Sequence, residues 1–260
     1  MYAEERQQAI ADLVTARGRH SVSALATRFR VTTETVRRDL SSLEAMGLVR
    51  RVHGGAVPAS ALAVSALAVI EPGLGERDRV NTAAKERIAR AALDLLPPAG
   101  STVLLDAGST LNHLAALLPR DHHLVAYTHA VPVAARLAGN PNIELHVLPG
   151  RVRPKTQAAV GADTVSALAE VRALTAFLGA NGVTVEHGMS TPDPDEAATK
   201  RAMVASASEV VVLADASKVG IEASVRFASM ADVDVLVTDT GIDRGDLRRL
   251  EETGVEIRTA

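Results

Sequence analysis

The residues best suited to hold a ligand stand directly after short apolar runs. Val103-Leu104-Leu105 ends in Asp106-Ala-Gly108-Ser109-Thr110, and a helical pattern follows. Gly108 lets a backbone approach a ligand closely, Ser109 and Thr110 offer hydroxyls, and the free amides of a helix start suit a phosphate. Taken alone, this loop is equally a capped strand-to-helix turn. Five further apolar runs end in the same manner: in Thr128-His129, Pro149-Gly150, Gly179-Ala-Asn181-Gly182, Asp215-Ala-Ser217-Lys218 and Thr238-Asp239. Lys218 adds a cation that can neutralise a phosphate, and Asp106 an acceptor for hydroxyls. Glu196 and Lys200, four apart, fit either this site or an ion pair on a helix surface.

Such loops need a scaffold that gathers them. A helix over 83–96 leads to a strand at 102–105, helix 111–118, strand 124–127, helix 131–138 and strand 143–148, with later strands near 174–178, 209–214, 233–237 and 255–258. This alternation predicts a mostly parallel sheet covered by helices. The loops after its strands then meet at one edge, where α/β proteins bind ligands.

A second set of residues, near the N-terminus, suits nucleic acid. Arg6, Ile10, Leu13 and Val14 fall at helical spacing up to Gly18; Ser23 can cap a short second helix, and Thr32 a third that lasts until Gly47. On the third helix Val36, Leu40 and Leu43 share one face, which puts Arg38 nearly opposite, among Glu34, Thr35, Ser41 and Ser42, with Arg37 on the shoulder. The run from Leu48 to Ala56, with Arg50, Arg51, His53 and a glycine turn, reads as a β-wing. Three helices and a wing predict a winged helix-turn-helix in which Arg38 and its neighbours reach base edges while Arg50, Arg51 and His53 meet phosphates.

Composition agrees. Nine arginines and no lysine against six acids leave +3 on residues 1–56, while 19 cations against 25 acids leave −6 on the remainder. Length and pattern predict residues 1–56 as the DNA-binding domain, 57–82 as a linker without periodicity, and 83–260 as the α/β domain. With no cysteine, a disulfide framework, a thiolate metal site and a cysteine nucleophile are all excluded. The eight histidines are scattered, so no metal site and no cofactor is expected. Met1 to Arg6 lacks the basic and apolar regions of a signal peptide, and the uncharged run Ala56–Ile70 is short for a membrane span, so the expected compartment is the cytoplasm.

Val31-Thr-Thr-Glu-Thr-Val-Arg-Arg-Asp-Leu40, with Leu43-Glu44, Gly47, Arg50 and His53-Gly-Gly-Ala56, resembles the signature of the DeoR family of bacterial sugar-metabolism regulators. In that signature Thr33 holds a position whose contact role is open. The resemblance continues through Lys85 with Ile88-Ala89, the Asp106 to Thr110 loop, Gly161, Phe177-Leu178-Gly179, Glu196-Ala-Ala-x-Lys200, Asp215-x-Ser-Lys218 and Thr238-Asp239. Departures are His129, Pro149 and Leu174, where the family commonly has Asn, Gly and Asp.

The resemblance implies a sensor domain similar in fold to ribose-5-phosphate isomerase and a homo-oligomeric repressor, dimer or tetramer, that leaves operator DNA when a sugar phosphate binds. It implies DNA contacts from Thr33, Thr35, Arg37, Arg38, Ser42, Arg50, Arg51 and His53. The effector contacts it implies are Asp106, Gly108, Ser109, Thr110, Thr128 and Gly150, then Gly179, Asn181, Gly182, Glu196, Lys200, Asp215 and Lys218. Gly179-Ala-Asn-Gly-Val183 with Ser190-Thr-Pro-Asp193 is similar to the fructose-operon repressors, which makes fructose 1-phosphate the first effector to consider. An activator, or a repressor of another sugar or polyol regulon, fits the same residues. An isomerase fits poorly, because Asn181 to Ser190 offers only Glu186 and His187 as acid or base.

Overall fold

The computed structural model describes residues 3–17, 20–46, 48–52, 54–58 and 72–260. Gly18, Gly47 and His53 lie outside the described residues, as does the uncharged run from residue 59 onward. The chain divides into two compact units, Met1–Ile70 and Glu71–Ala260.

In the first unit α1 (Ala3–Arg17), α2 (Val22–Phe29) and α3 (Thr33–Ala45) surround a core of Ile10, Val14, Leu25, Val36, Leu40 and Leu43. Those are the positions at which helical spacing repeats its apolar residues, so each helix buries one stripe. Thr32 caps α3 by accepting from the Thr35 amide at 3.1 Å. The cap of α2 is Ser21, which accepts from the Ala24 amide at 3.1 Å, and Ser23, the expected cap, only meets the Ser21 hydroxyl at 3.0 Å. β2 (Val49–Val52) and β3 (Gly55–Pro58) form the wing hairpin, and β1 (His20–Ser21) pairs antiparallel with β3. A Cβ on Gly55 would stand 2.2 Å from the His20 carbonyl oxygen, so only glycine lets these strands close.

One buried charge ties this unit together. Asp39, on α3, accepts from Arg6 Nε at 2.6 Å, from Arg6 Nη2 at 3.2 Å and from Gln7 at 3.1 Å, joining the first helix to the third. Asp39→Ala should cost about 1–2 kcal/mol, in the lower range for hydrogen bonds to charged groups because the freed Arg6 retains some solvent access. Urea denaturation followed by helical circular dichroism checks this, and an unchanged midpoint would contradict it.

The second unit is built on a parallel seven-stranded sheet in the order β15-β14-β12-β9-β4-β5-β6. These strands are β4 (Thr102–Leu105), β5 (Leu124–Thr128), β6 (Ile143–Val147), β9 (Ala173–Gly179), β12 (Ala207–Leu213), β14 (Val235–Thr238) and β15 (Glu256–Thr259). Alternate residues feed two cores. Val103, Leu105 and Phe177 enter one, and Leu104, Ala176 and Leu178 the other, which is why the central strands read as continuous apolar runs.

Smaller elements complete the unit. β7 (Arg151–Arg153) and β8 (Ala158–Val160) form a hairpin, and β10 (Gly182–Thr184), β11 (Gly188–Thr191) and β13 (Val225–Ala228) a three-stranded sheet. The stretch expected to be linker as far as residue 82 holds α4 (Leu74–Arg79), whose Leu74 is buried and donates from its amide to the Lys155 carbonyl at 2.9 Å. Residues 72–82 therefore belong to the second unit. α5 (Thr82–Ala92) begins directly after them and passes into a 3-10 turn at Leu93–Leu95.

The strand order fixes where a ligand can enter. From β4 the chain moves outward through β5 to β6, whereas β9 and β12 lie on the opposite side of β4. The crevice beyond the carboxyl ends of β4 and β9 is thus the point where the winding reverses, the usual ligand site of open parallel sheets.

Candidate functional site

A cavity of about 170 Å³ opens at that reversal. Asp106, Gly108, Ser109, Thr110, Gly179, Asn181, Glu196, Lys200, Asp215 and Lys218 all line it. Three of the expected residues do not. Thr128 is buried, with its hydroxyl donating to the Leu105 carbonyl at 2.7 Å and accepting from the Ala130 amide at 3.1 Å, so it shapes the turn behind the cavity. Gly150 and Gly182 are required by close packing: a Cβ would lie 2.2 Å from Thr164 Oγ1 and 2.9 Å from the Val160 carbonyl oxygen in the first case, and 2.3 Å from the Ile221 carbonyl oxygen in the second.

The loop after β4 forms one wall. Gly108 has φ 139°, which favours glycine, and α6 (Ser109–Leu117) starts at once. Its first helical bond runs from the Asn112 amide to the Gly108 carbonyl, so the amides of Ser109, Thr110 and Leu111 lack helical partners and suit an anion.

Asp106 is wholly buried, and little of it remains for a sugar hydroxyl. Its Oδ1 takes a hydrogen bond from His129 Nε2 at 2.9 Å, and its Oδ2 accepts from the Gly179 amide at 2.8 Å and from Lys200 Nζ. Burial pushes this carboxyl up, yet Lys200 and His129 overcome it and hold the group well below the usual carboxylate range. Lys200, on the helix Pro194–Ser206, also donates to the Gly179 carbonyl at 2.9 Å. The ion pair with Glu196 that their spacing allows is not the one formed, because Glu196 binds Arg153 and accepts from the Thr191 hydroxyl at 3.3 Å.

Cations line the other walls. Lys85 is buried, with Nζ donating to the carbonyls of Arg77 and Val80. Burial draws its ammonium below the usual lysine value, a cost that a bound anion would offset. Arg77 has a buried Nε with no partner among the described residues. Lys218 follows Asp215, whose carboxylate accepts from the Ser217 amide at 3.1 Å and from Asn81 at 3.0 Å, and Asp239 steadies the same turn by accepting from the Ala216 amide at 2.7 Å. Sequence reasoning missed Arg77, Asn81 and His129 as cavity residues. Arg77 and Asn81 fall in a stretch that reads as linker, where a polar residue carries little signal, whereas His129 stands in one of the strand-end loops but as a departure from the family pattern.

The first unit presents a second polar surface. The Arg38 side chain is 81% exposed, and Arg37 and Arg38 each lie 3.6 Å from Glu34, contacts too exposed to fix either side chain. Thr33 and Ser42 are exposed on the same helix, while the Thr35 hydroxyl meets that of Thr32 at 2.9 Å. Arg51 leans onto α3, with Nη1 donating to Ser41 Oγ at 2.8 Å and its amide to Glu44 at 2.9 Å. Arg50 lies on β2 opposite Val57. If Arg38 reads a base, Arg38→Ala should cost about 1–3 kcal/mol of specific affinity, whereas Arg51→Ala should weaken specific and random DNA alike and lower the salt slope by about one. Fluorescence anisotropy on both DNAs at several salt concentrations separates the two effects. Equal losses from both variants on every sequence would show that the outward face reads no bases.

Comparison with known proteins places both units. Residues 6–61 match the family described as DeoR-like helix-turn-helix domain, and residues 80–240 the DeoR C terminal sensor domain. The chain is 34% identical to the HTH-type transcriptional regulator GlpR of Haloferax volcanii, over 99% of this chain and 98% of that protein. It is 30% identical to the putative aga operon transcriptional repressor of Escherichia coli O157:H7, over 97% of this chain and 92% of that one. Among solved structures, ribose 5-phosphate isomerase A of Methanocaldococcus jannaschii aligns with a TM-score of 0.40 at 19% identity, over 54% of this chain and 55% of the isomerase. A helix-turn-helix and a sensor domain in this order, with full-length relatives that regulate transcription, show that the chain belongs to the DeoR family of DNA-binding transcriptional regulators.

Proposed function

We propose that this protein represses a sugar catabolic or uptake operon and leaves its operator when a phosphorylated sugar, fructose 1-phosphate in the first instance, enters the cavity. The observation that carries this reading is the meeting of Arg77, Lys85 and Lys218 with the open helix start at Ser109 and Thr110 in one cavity. Cations and open helix-start amides around a small cavity suit a compact dianion carrying hydroxyls. The repressor named among the relatives supports the direction of control. Operator binding would use two or more copies, since a single module of this size buries too little surface for tight regulation. The cytoplasm, where operator DNA lies, is the compartment of this reading.

Calorimetry on the full chain with fructose 1-phosphate, fructose and inorganic phosphate tests it. Charge-assisted hydrogen bonds are roughly twice as strong as neutral ones, so the phosphate should dominate and free fructose should bind poorly. Equal affinity for fructose and its phosphate would overturn the reading. Binding of a different sugar phosphate alone would overturn only the choice of fructose.

A further inference from the structure

His129 is buried in the cavity floor, and both of its ring nitrogens face acceptors. Nδ1 lies 2.7 Å from the Ala159 carbonyl oxygen, and Nε2 lies 2.9 Å from Asp106 Oδ1. The Ala159 amide returns a hydrogen bond to the His129 carbonyl at 2.7 Å, so the residue is held against β8 through backbone and ring together. A carbonyl oxygen can only accept. An ionised carboxylate can only accept as well, and Asp106 is kept ionised by Lys200 and the Gly179 amide on its other oxygen. A neutral imidazole carries one N–H and would turn its bare nitrogen toward one of these two acceptors, in a place without solvent.

We propose that His129 is an imidazolium in the folded protein, clamped between Ala159 and Asp106, and that its charge is a determinant of anion recognition in the cavity. With the ring charged, Lys200, Asp106 and His129 together leave one positive charge on the floor. With the ring neutral they leave none. The second half of the proposal rests on reading the cavity as a sugar-phosphate site; the first half does not.

The charged groups on the neighbouring elements are accounted for. Asp106 and Lys200 form the network, Glu196 is bound to Arg153 on the hairpin, and Lys85 holds carbonyls of the α4 segment. Arg136, on the helix following His129 (Val131–Leu137), donates to Asn112 at 2.6 Å. Among these groups only Asp106 takes a hydrogen bond from the ring. The sign follows: where the ring gives up its second proton, the floor loses its positive charge and affinity for an anion falls. The ligand's own second ionisation, near pH 6, pulls the other way. His129→Gln isolates the ring's part, since that variant keeps the ligand's ionisation and every other group of the cavity.

The test has two readouts on the full-length chain. In protein labelled with 15N-histidine, long-range proton–nitrogen spectra should show both ring nitrogens of His129 protonated at neutral pH, the signal being assigned by its loss in His129→Gln. A neutral tautomer there would overturn the imidazolium. Calorimetry with inorganic phosphate and with fructose 1-phosphate should find His129→Gln about tenfold weaker at neutral pH, the scale of losing one charge near a phosphate in a partly screened site. The ratio between wild type and variant should shrink above the midpoint of the ring signal. Equal affinities, or a ratio unchanged across that midpoint, would overturn the recognition role. Failure of both ligands to bind wild type would overturn that role together with the sugar-phosphate reading, while the ring spectrum still decides the imidazolium. His129→Asn replaces the glutamine variant if the latter does not fold.

Discussion

Asp106→Ala should destabilise the sensor unit by about 3–5 kcal/mol, the range for removing one partner from a buried ion pair. The substitution leaves the Lys200 ammonium and the His129 ring buried without their anion and the Gly179 amide without its acceptor. Asp106→Asn, which keeps the shape and loses the charge, should cost less. Because the carboxyl is held below its ordinary range in the folded chain, its contribution is complete above the unfolded value near pH 4 and fades as pH falls through the acid range. Urea denaturation at neutral pH and near pH 3 measures both effects. A stability gap that widens on acidification would contradict this assignment of charge.

The second large effect concerns the ligand. Removing Arg77 and Lys218 together should cost about 3–6 kcal/mol of sugar-phosphate affinity, since a hydrogen bond to a charged group is worth about 1.5–3 kcal/mol. Operator affinity should remain, because both residues lie in the sensor unit. The result is a protein that represses permanently, and Thr110→Val should move it in the same direction by a smaller amount. Calorimetry for the ligand and a gel shift for the operator check the two halves. Loss of operator binding in the double variant would show that these residues support the fold rather than the ligand.

Much of this was legible in the chain because its signals are local. Strands buried on both faces become unbroken apolar runs, and the small polar residues that end them mark one sheet edge. The stripe of Val36, Leu40 and Leu43 likewise fixes the outward face of α3, and with it the exposure of Arg38. What escaped depends on partners far away in sequence. Asp39 looks like one more surface acid until Arg6, on another helix, is brought to it. Lys200 looks like a partner for Glu196 until β4 delivers Asp106 from 94 positions earlier. Arg77 lies within a six-residue helix too short to show a period, and the three- and four-residue strands of the hairpin and the small sheet fail for the same reason. Gly150 and Gly182 carry the composition of a ligand loop, although what approaches them is the protein's own chain.

On the proposed reading, filling the cavity with a sugar phosphate detaches the protein from its operator. A ligand shifts such an equilibrium only by preferring the state that does not bind DNA, so detachment must accompany binding. The most direct measurement is a gel shift on DNA upstream of the gene, titrated with fructose 1-phosphate, fructose and two other sugar phosphates. Wild type and the Arg77→Ala, Lys218→Ala double variant would be compared. A phosphorylated sugar should release wild type, fructose should not, and the double variant should stay bound throughout. A wild-type complex left unchanged by every sugar phosphate, or a double variant released as readily as wild type, would contradict that reading.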